Sequence, residues 1–78
     1  MEKMLLNILR ALVEAPEDIE LQEVKGATNT FIEIRCAPSD VGSIIGKNGK
    51  TISAIRVLIN AITRGEERIV LEVIEPVL

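Results

Sequence analysis

Ile44-Ile45-Gly46-Lys47-Asn48-Gly49-Lys50-Thr51-Ile52-Ser53-Ala54-Ile55, IIGKNGKTISAI, sets two glycines and two lysines in what otherwise reads as an apolar helix. A helix interior disfavours glycine by about 1 kcal/mol relative to alanine, so the interruption needs a reason. The flanks supply it. Upstream, Val41, Ile44 and Ile45 form one short apolar helical face; downstream, Ile52, Ile55, Ile59 and Ile62 recur at intervals of three and four. GKNG therefore joins two helices. Gly46 suits the positive φ that ends a helix, and Gly49 lets the next begin without a Cβ in the way. Asn48-Gly49 is also a hairpin signal, but its flanks follow a helical period and do not alternate.

Working outward, Pro38 closes a preceding strand and Ser39 or Asp40 is placed to cap the first of these helices. That strand alternates Ile32, Ile34 and Cys36 against Phe31, Glu33 and Arg35, which makes Cys36 a small core residue. Gly26-Ala27-Thr28-Asn29 is a turn cluster, before which Ile19 and Leu21 alternate with Glu20 and Gln22 as an earlier strand. Met4, Leu5, Ile8, Leu9, Leu12 and Val13 form the stripe of an amphipathic helix that Pro16 stops. Beyond the second helix of the pair, Gly65 ends the helical period. ERIVLEVIE then alternates Ile69, Leu71 and Val73 against Val70, Glu72 and Ile74. The order α-β-β-α-α-β predicts an α+β domain, a three-stranded sheet with helices on one face.

The bulk numbers narrow the function classes. Seventy-eight residues make one small domain, since a chain this short buries only about 60% of its unfolded surface. One residue is aromatic, none is histidine, and Cys36 is the single cysteine. The core must therefore be aliphatic, and zinc, haem and histidine-based catalysis are all disfavoured. No cofactor or metal is expected. The unpaired cysteine fits a reducing, cytoplasmic setting. The opening MEKMLLNILRALVEAPED carries acids on both sides of a helical stripe and reads neither as a signal peptide nor as a membrane span.

The net charge of −3 would argue against a polyanion partner. Its distribution argues the opposite. Residues 44–64 contain Lys47, Lys50, Arg56 and Arg64 and no acid, so this run carries +4 and the remainder −7. Strand alternation puts Glu20, Glu33 and Glu72 on the outer sheet face, away from the helix pair. A helix starting after Gly49 offers unpaired N–H groups and the positive end of its dipole, an arrangement that favours phosphate. Bare glycines let a sugar-phosphate chain approach the main chain. Gly49-Lys50-Thr51 also matches the end of a P-loop, but Ile44 stands where that motif needs glycine and a helix stands where it needs a strand.

Ile44-Ile45-Gly46-Lys47-Asn48-Gly49-Lys50-Thr51-Ile52 resembles the I-I-G-x-x-G-x-x-I signature of the KH domain, whose GXXG loop clamps about four nucleotides of a single strand. The element order is similar to the type II KH fold, with a mixed three-stranded sheet and three helices on one face. Over the whole chain, residues 1–78 read as a single KH domain resembling the small stand-alone bacterial KH proteins of the KhpA family. The resemblance implies a non-enzymatic, cytoplasmic protein that binds single-stranded RNA as an RNA chaperone or post-transcriptional regulator. It also implies the capacity to form a homodimer and to pair with a larger Jag-like (KhpB) KH protein, with no membrane involvement. By the same resemblance Gly46, Lys47, Asn48 and Gly49 contact the sugar-phosphate backbone. Ile44, Ile45 and Ile52 are divided between core and an aliphatic groove for bases, and Lys50, Arg56 and Arg35 add charge. Lys25, in the turn between the first two strands, is a weaker contributor. The scarcity of aromatics fits such a groove and disfavours readers that depend on ring stacking. The alternative is a KH-shaped protein-interaction or dimerisation module, associating through Val24, Phe31, Val70 and Ile74 on the outer sheet face.

Overall fold

The computed structural model describes residues 1–74. Its elements are α1 (Glu2–Leu12), β1 (Glu20–Lys25), β2 (Asn29–Arg35), α2 (Val41–Ile45), α3 (Lys50–Ile62) and β3 (Arg68–Val73), so the expected α-β-β-α-α-β order holds. Three-residue 3-10 turns at Pro16–Asp18, Pro38–Asp40 and Lys47–Gly49 lead into β1, α2 and α3. The sheet runs β1-β2-β3, antiparallel between the first pair and parallel between the second. A parallel pair needs a crossover connection, and here α2, the GKNG loop and α3 are that crossover. The GKNG loop therefore sits midway along the connection between β2 and β3.

One face of the sheet is the core. Ile32 and Ile34 of β2 and Ile69 and Leu71 of β3 pack with Leu5 and Leu9 of α1, Ile44 of α2, and Ile55 and Ile59 of α3. Burial alternates along β2 and into the residue after it: Thr30, Ile32, Ile34 and then Cys36 are buried, while Phe31 and Arg35 are exposed and Glu33 is half-buried. Burial, and then the nearby Asp40 charge, push the Cys36 thiol above its ordinary range, which keeps it neutral in the core. The opposite face carries the cross-strand row Val24, Phe31, Val70 and, beside it, the row Gln22, Glu33, Glu72. Acids thus lie on the helix-free side. Strand β1 pairs Glu23 with Ile32 and Lys25 with Thr30. Charge on the inward side of an edge strand discourages pairing with another chain.

Several expectations shift at element ends. Helix α1 stops at Leu12, with Val13 already extended, and Pro16 starts a 3-10 turn instead of ending the helix. Ile19 is buried as expected but precedes β1. In α1 the stripe narrows to Leu5 and Leu9, leaving Met4 and Leu12 exposed. In α3 the buried line is Ile55 and Ile59; Ile62, the last residue of the helix, overhangs and is exposed. Strand β3 ends at Val73, and the Glu75 assigned to it from sequence lies outside the described residues.

Asp40 departs furthest from its expected role. It occupies the N-cap of α2 but makes no side-chain cap bond. Its side chain turns inward, 1% exposed, and its two carboxylate oxygens accept the N–H groups of Glu14 and Ala15 at 3.0 Å each. These donors follow the end of α1, where the helix leaves the chain without regular partners, so Asp40 ties that exit to the start of α2. A carboxylate doubly bonded to backbone N–H groups is worth more there than as a cap.

Candidate nucleic-acid interface

The loop is built from three consecutive backbone decisions. Gly46 closes α2 by donating its N–H to the Gly42 carbonyl at 2.8 Å, then turns to φ 76°, ψ 170°. This region is essentially restricted to glycine. A Cβ built there would lie 2.1 Å from Thr51 Oγ1 and 2.8 Å from Thr51 N, so the first turn of α3 packs directly on the bare Gly46 backbone. Next, Gly49 N–H donates to the Gly46 carbonyl at 3.1 Å, folding Lys47–Gly49 into a tight turn in which Asn48 takes φ 57° and Gly49 φ 73°. Asparagine is among the few residues that tolerate the left-handed region. Finally α3 starts at Lys50, with Gly49 at its N-cap and no side-chain cap bond.

The two glycines thus differ. Gly46 is glycine because Thr51 leaves no room, whereas a Cβ at Gly49 would meet nothing within 4 Å. Gly49 presents its main chain to open space beside the uncapped start of α3. Lys47, Asn48 and Lys50 are exposed around it. Among the described residues the ion pair present is Lys25 with Glu23 at 3.6 Å, leaving Lys47 and Lys50 without a carboxylate partner. The elbow is not tucked into the interior, and among the described residues no acid pairs with its lysines.

The structure sorts the sequence-derived candidates. Gly46, Lys47, Asn48, Gly49 and Lys50 form one continuous surface, with half-buried Ile45 and Ile52 beside it. Ile44 is fully buried and belongs to the core, so it is not available to a base. Arg35 alternates with buried Ile34 and Cys36 and lies opposite Glu20, on the helix-free side of the sheet. Lys25 is held by Glu23 at the far turn. Arg56 is exposed on α3, where it lines a groove with Arg68 of β3.

The sequence reading singled out neither Arg68 nor Asn60. Arg68 falls in the segment read as the third strand, directly after Glu66 and Glu67; only the return of β3 alongside α3 brings it into one groove with Arg56. The Asn60 carboxamide behaves as a missing strand. Its Oδ1 accepts the Ile69 N–H at 2.9 Å, while Nδ2 donates to the Ile69 carbonyl at 3.0 Å and the Arg56 carbonyl at 2.9 Å. Asparagine in a helix interior is a weak propensity violation, and that was its one legible trace.

A family model described as the KhpA/KhpB KH domain matches residues 2–73. The chain is 40% identical over 76 residues to the RNA-binding protein KhpA of Chlamydia trachomatis, an alignment covering 96% of this chain and 97% of that protein. It is 37% identical over 75 residues to the RNA-binding protein KhpA of Clostridium acetobutylicum, covering 95% and 100%. To the RNA-binding protein KhpA of Listeria monocytogenes it is 34% identical over 76 residues, covering 96% and 100%. No solved structure matches the chain.

Proposed function

The chain belongs to the KhpA/KhpB KH-domain family, and from that premise we propose that it binds single-stranded RNA, without catalysis, through the loop between α2 and α3. In this reading the N–H groups at Gly49 and at the start of α3 meet a phosphate while Lys47 and Lys50 neutralise it. The remainder of the strand is held by its backbone along the loop, with bases against Ile45 and Ile52. The observation that carries the reading is Gly49. It has the backbone of a ligand-contacting residue, open space where a side chain would project, and lysines on both sides with no acid over residues 44–64. The relatives named above as RNA-binding proteins support the same polymer. No helix among the described residues is long and apolar enough to cross a membrane.

The test is the double substitution Lys47→Asp with Asn48→Asp. Both positions are exposed, and aspartate tolerates the left-handed conformation at residue 48 nearly as well as asparagine, so the domain should still fold. Affinity for a short uridine-rich oligonucleotide should fall by about tenfold or more, because charge-assisted contacts become like-charge repulsion. Wild-type binding should also weaken with salt, by about 0.7 logarithmic units per phosphate contact for each tenfold rise in salt, the slope for single strands. A folded variant that binds as tightly as wild type would overturn the reading.

A second reading has one observation in its favour. The row of exposed Val24 and Phe31 with half-buried Val70 crosses the helix-free face of the sheet, suited to association with another protein. It lies on the side opposite the loop, so the two readings are compatible. Light scattering over a concentration series decides it: a strict monomer would exclude self-association.

A further inference from the structure

The helix-free face of the sheet is ordered in rows that run across the strands. One row is apolar: Val24, Phe31 and Val70 stand in register on β1, β2 and β3. Val24 is 46% exposed and Phe31, the one aromatic residue of the chain, 37%. The next row, two residues along each strand and so about 7 Å away, is Gln22, Glu33 and Glu72. Beyond it Glu20 stands opposite Arg35.

Glu33 and Glu72 are direct partners in the β2–β3 register. Like charges directly opposite each other on one sheet face destabilise the strand pair. Among the described residues the ion pair present is Lys25 with Glu23, so neither carboxylate is neutralised from within. A cation from another molecule would relieve the repulsion, and the apolar row beside it favours a cation carried on an apolar body.

The spacing matches a helix laid across the strands. Strands lie about 4.8 Å apart, so the apolar row spans about 10 Å. A helix repeats one face about every 5.4 Å, so its residues i, i+4 and i+7 fall on Val24, Phe31 and Val70 in turn. A lysine or arginine on the flank of that stripe has the reach to set its head group between Glu33 and Glu72, while its stem covers the ground between the rows. Other occupants fit the charges less well. RNA would bring phosphates against two carboxylates, and two copies face to face would bring Glu33 and Glu72 of each into one interface.

We propose that the helix-free face is a docking site for a cationic amphipathic helix of a partner protein, with its apolar stripe on Val24, Phe31 and Val70 and its cations on Glu33 and Glu72. The inference rests on the second reading above, association through the sheet, and adds the chemistry of the partner.

The probes are two synthetic peptides of about fourteen residues, roughly four helical turns, one of leucine and lysine and one of leucine and glutamate at the same helical spacing. Each is titrated into the full chain by calorimetry, and the site is mapped by amide chemical shifts. Wild type should bind the leucine-lysine peptide and not its acidic counterpart, with the largest shifts at Phe31, Glu33, Val70 and Glu72. Phe31→Ala should weaken binding by about tenfold, as loss of an aromatic anchor predicts. Glu33→Gln/Glu72→Gln should weaken it by about tenfold, as two exposed ion pairs predict. Because this variant removes the like-charge contact, its Tm should equal or exceed that of wild type, so its loss of binding is not a loss of fold. Glu14→Gln/Glu17→Gln removes the same charge at exposed positions outside both rows, and its affinity should stay within about twofold of wild type.

Equal weakening by the two glutamine pairs would reduce the attraction to net charge and overturn the proposal. Shifts confined to the helix-bearing side, binding that survives both sheet variants, or equal affinity for the acidic peptide would overturn it too. If neither peptide binds while sedimentation shows a wild-type dimer that Phe31→Ala breaks, the face belongs to a second copy; the proposal then falls and the second reading stands. A strict monomer that binds neither peptide overturns both.

Discussion

Gly46→Ala and Gly49→Ala should differ sharply, although the two residues share one motif and both have positive φ. At Gly49 a methyl group meets no atom within 4 Å, so the cost is the left-handed backbone alone, about 1–2 kcal/mol. Part is offset by the reduced freedom of the unfolded chain, leaving about 1 kcal/mol. For a domain of this size that is a fall in Tm of about 4–8 °C. At Gly46 the backbone lies in a region closed to side chains, at about 1–3 kcal/mol. The new Cβ would also fall 2.1 Å, 2.6 Å and 2.8 Å from Thr51 Oγ1, Cβ and N. Relieving the last contact means moving the first turn of α3, which brings the total to about 4 kcal/mol or more. The whole domain should have only about 4–12 kcal/mol of stability, so Gly46→Ala should be largely unfolded or close to it.

Urea melts followed by far-UV circular dichroism measure both. RNA titration of the folded Gly49→Ala protein then separates structure from function, because its methyl occupies the space assigned to phosphate. Losing one charge-assisted hydrogen bond predicts about tenfold weaker binding. Adding Thr51→Ala to Gly46→Ala should recover only part of the loss, since the Cβ and backbone nitrogen of residue 51 remain. Equal destabilisation by the two glycine substitutions would refute the packing argument. Wild-type RNA affinity in Gly49→Ala would refute the assignment of open space to the ligand.

Asp40→Ala should destabilise the domain by about 3 kcal/mol, because it strips two backbone N–H groups of a buried charged acceptor; a loss below about 1 kcal/mol in the same urea assay would show that Asp40 does not hold the α1 exit. Glu2 has its carboxyl held above the ordinary range by a hydrogen bond to Glu23, then by burial, then by the Glu23 charge. The unfolded state therefore loses this proton first, and stability falls as pH rises through the carboxylate range. Glu2→Gln should raise Tm at pH 7 by an amount worth less than about 1 kcal/mol, as for other exposed charges, with the gain fading towards pH 4; a gain that instead grows on acidification would reverse the assignment.

The parts of this fold that were legible in the sequence are those where one physical signal dominates over several residues. Alternation in β2 and β3 predicted which side of each strand is buried, because a pleated strand offers no third choice. The helical period on both sides of GKNG placed the loop between helices, and the glycines gave its backbone. Signals failed where a residue's partner is distant in sequence. Asp40 looked like a cap because local chemistry favours that role, yet its partners lie at residues 14 and 15, a pairing that no local pattern encodes. Ile62 keeps the helical period but, at the last position of α3, is left exposed.

The interface shows the same division more sharply. Charge segregation revealed the basic run because net charge adds along a sequence, whereas a groove adds across space. Arg68 is hidden beside two glutamates in the chain, but the parallel return of β3 sets it across from Arg56 and leaves those acids outside the lining. The parallel pairing that makes a long crossover necessary thus has two effects from one cause. It carries the bare GKNG elbow on the crossover, and it runs the following strand back along α3 to give that helix a second wall. The exposed loop and the α3–β3 groove both follow from the β2–β3 pairing, and no aromatic residue among the described residues lines that groove.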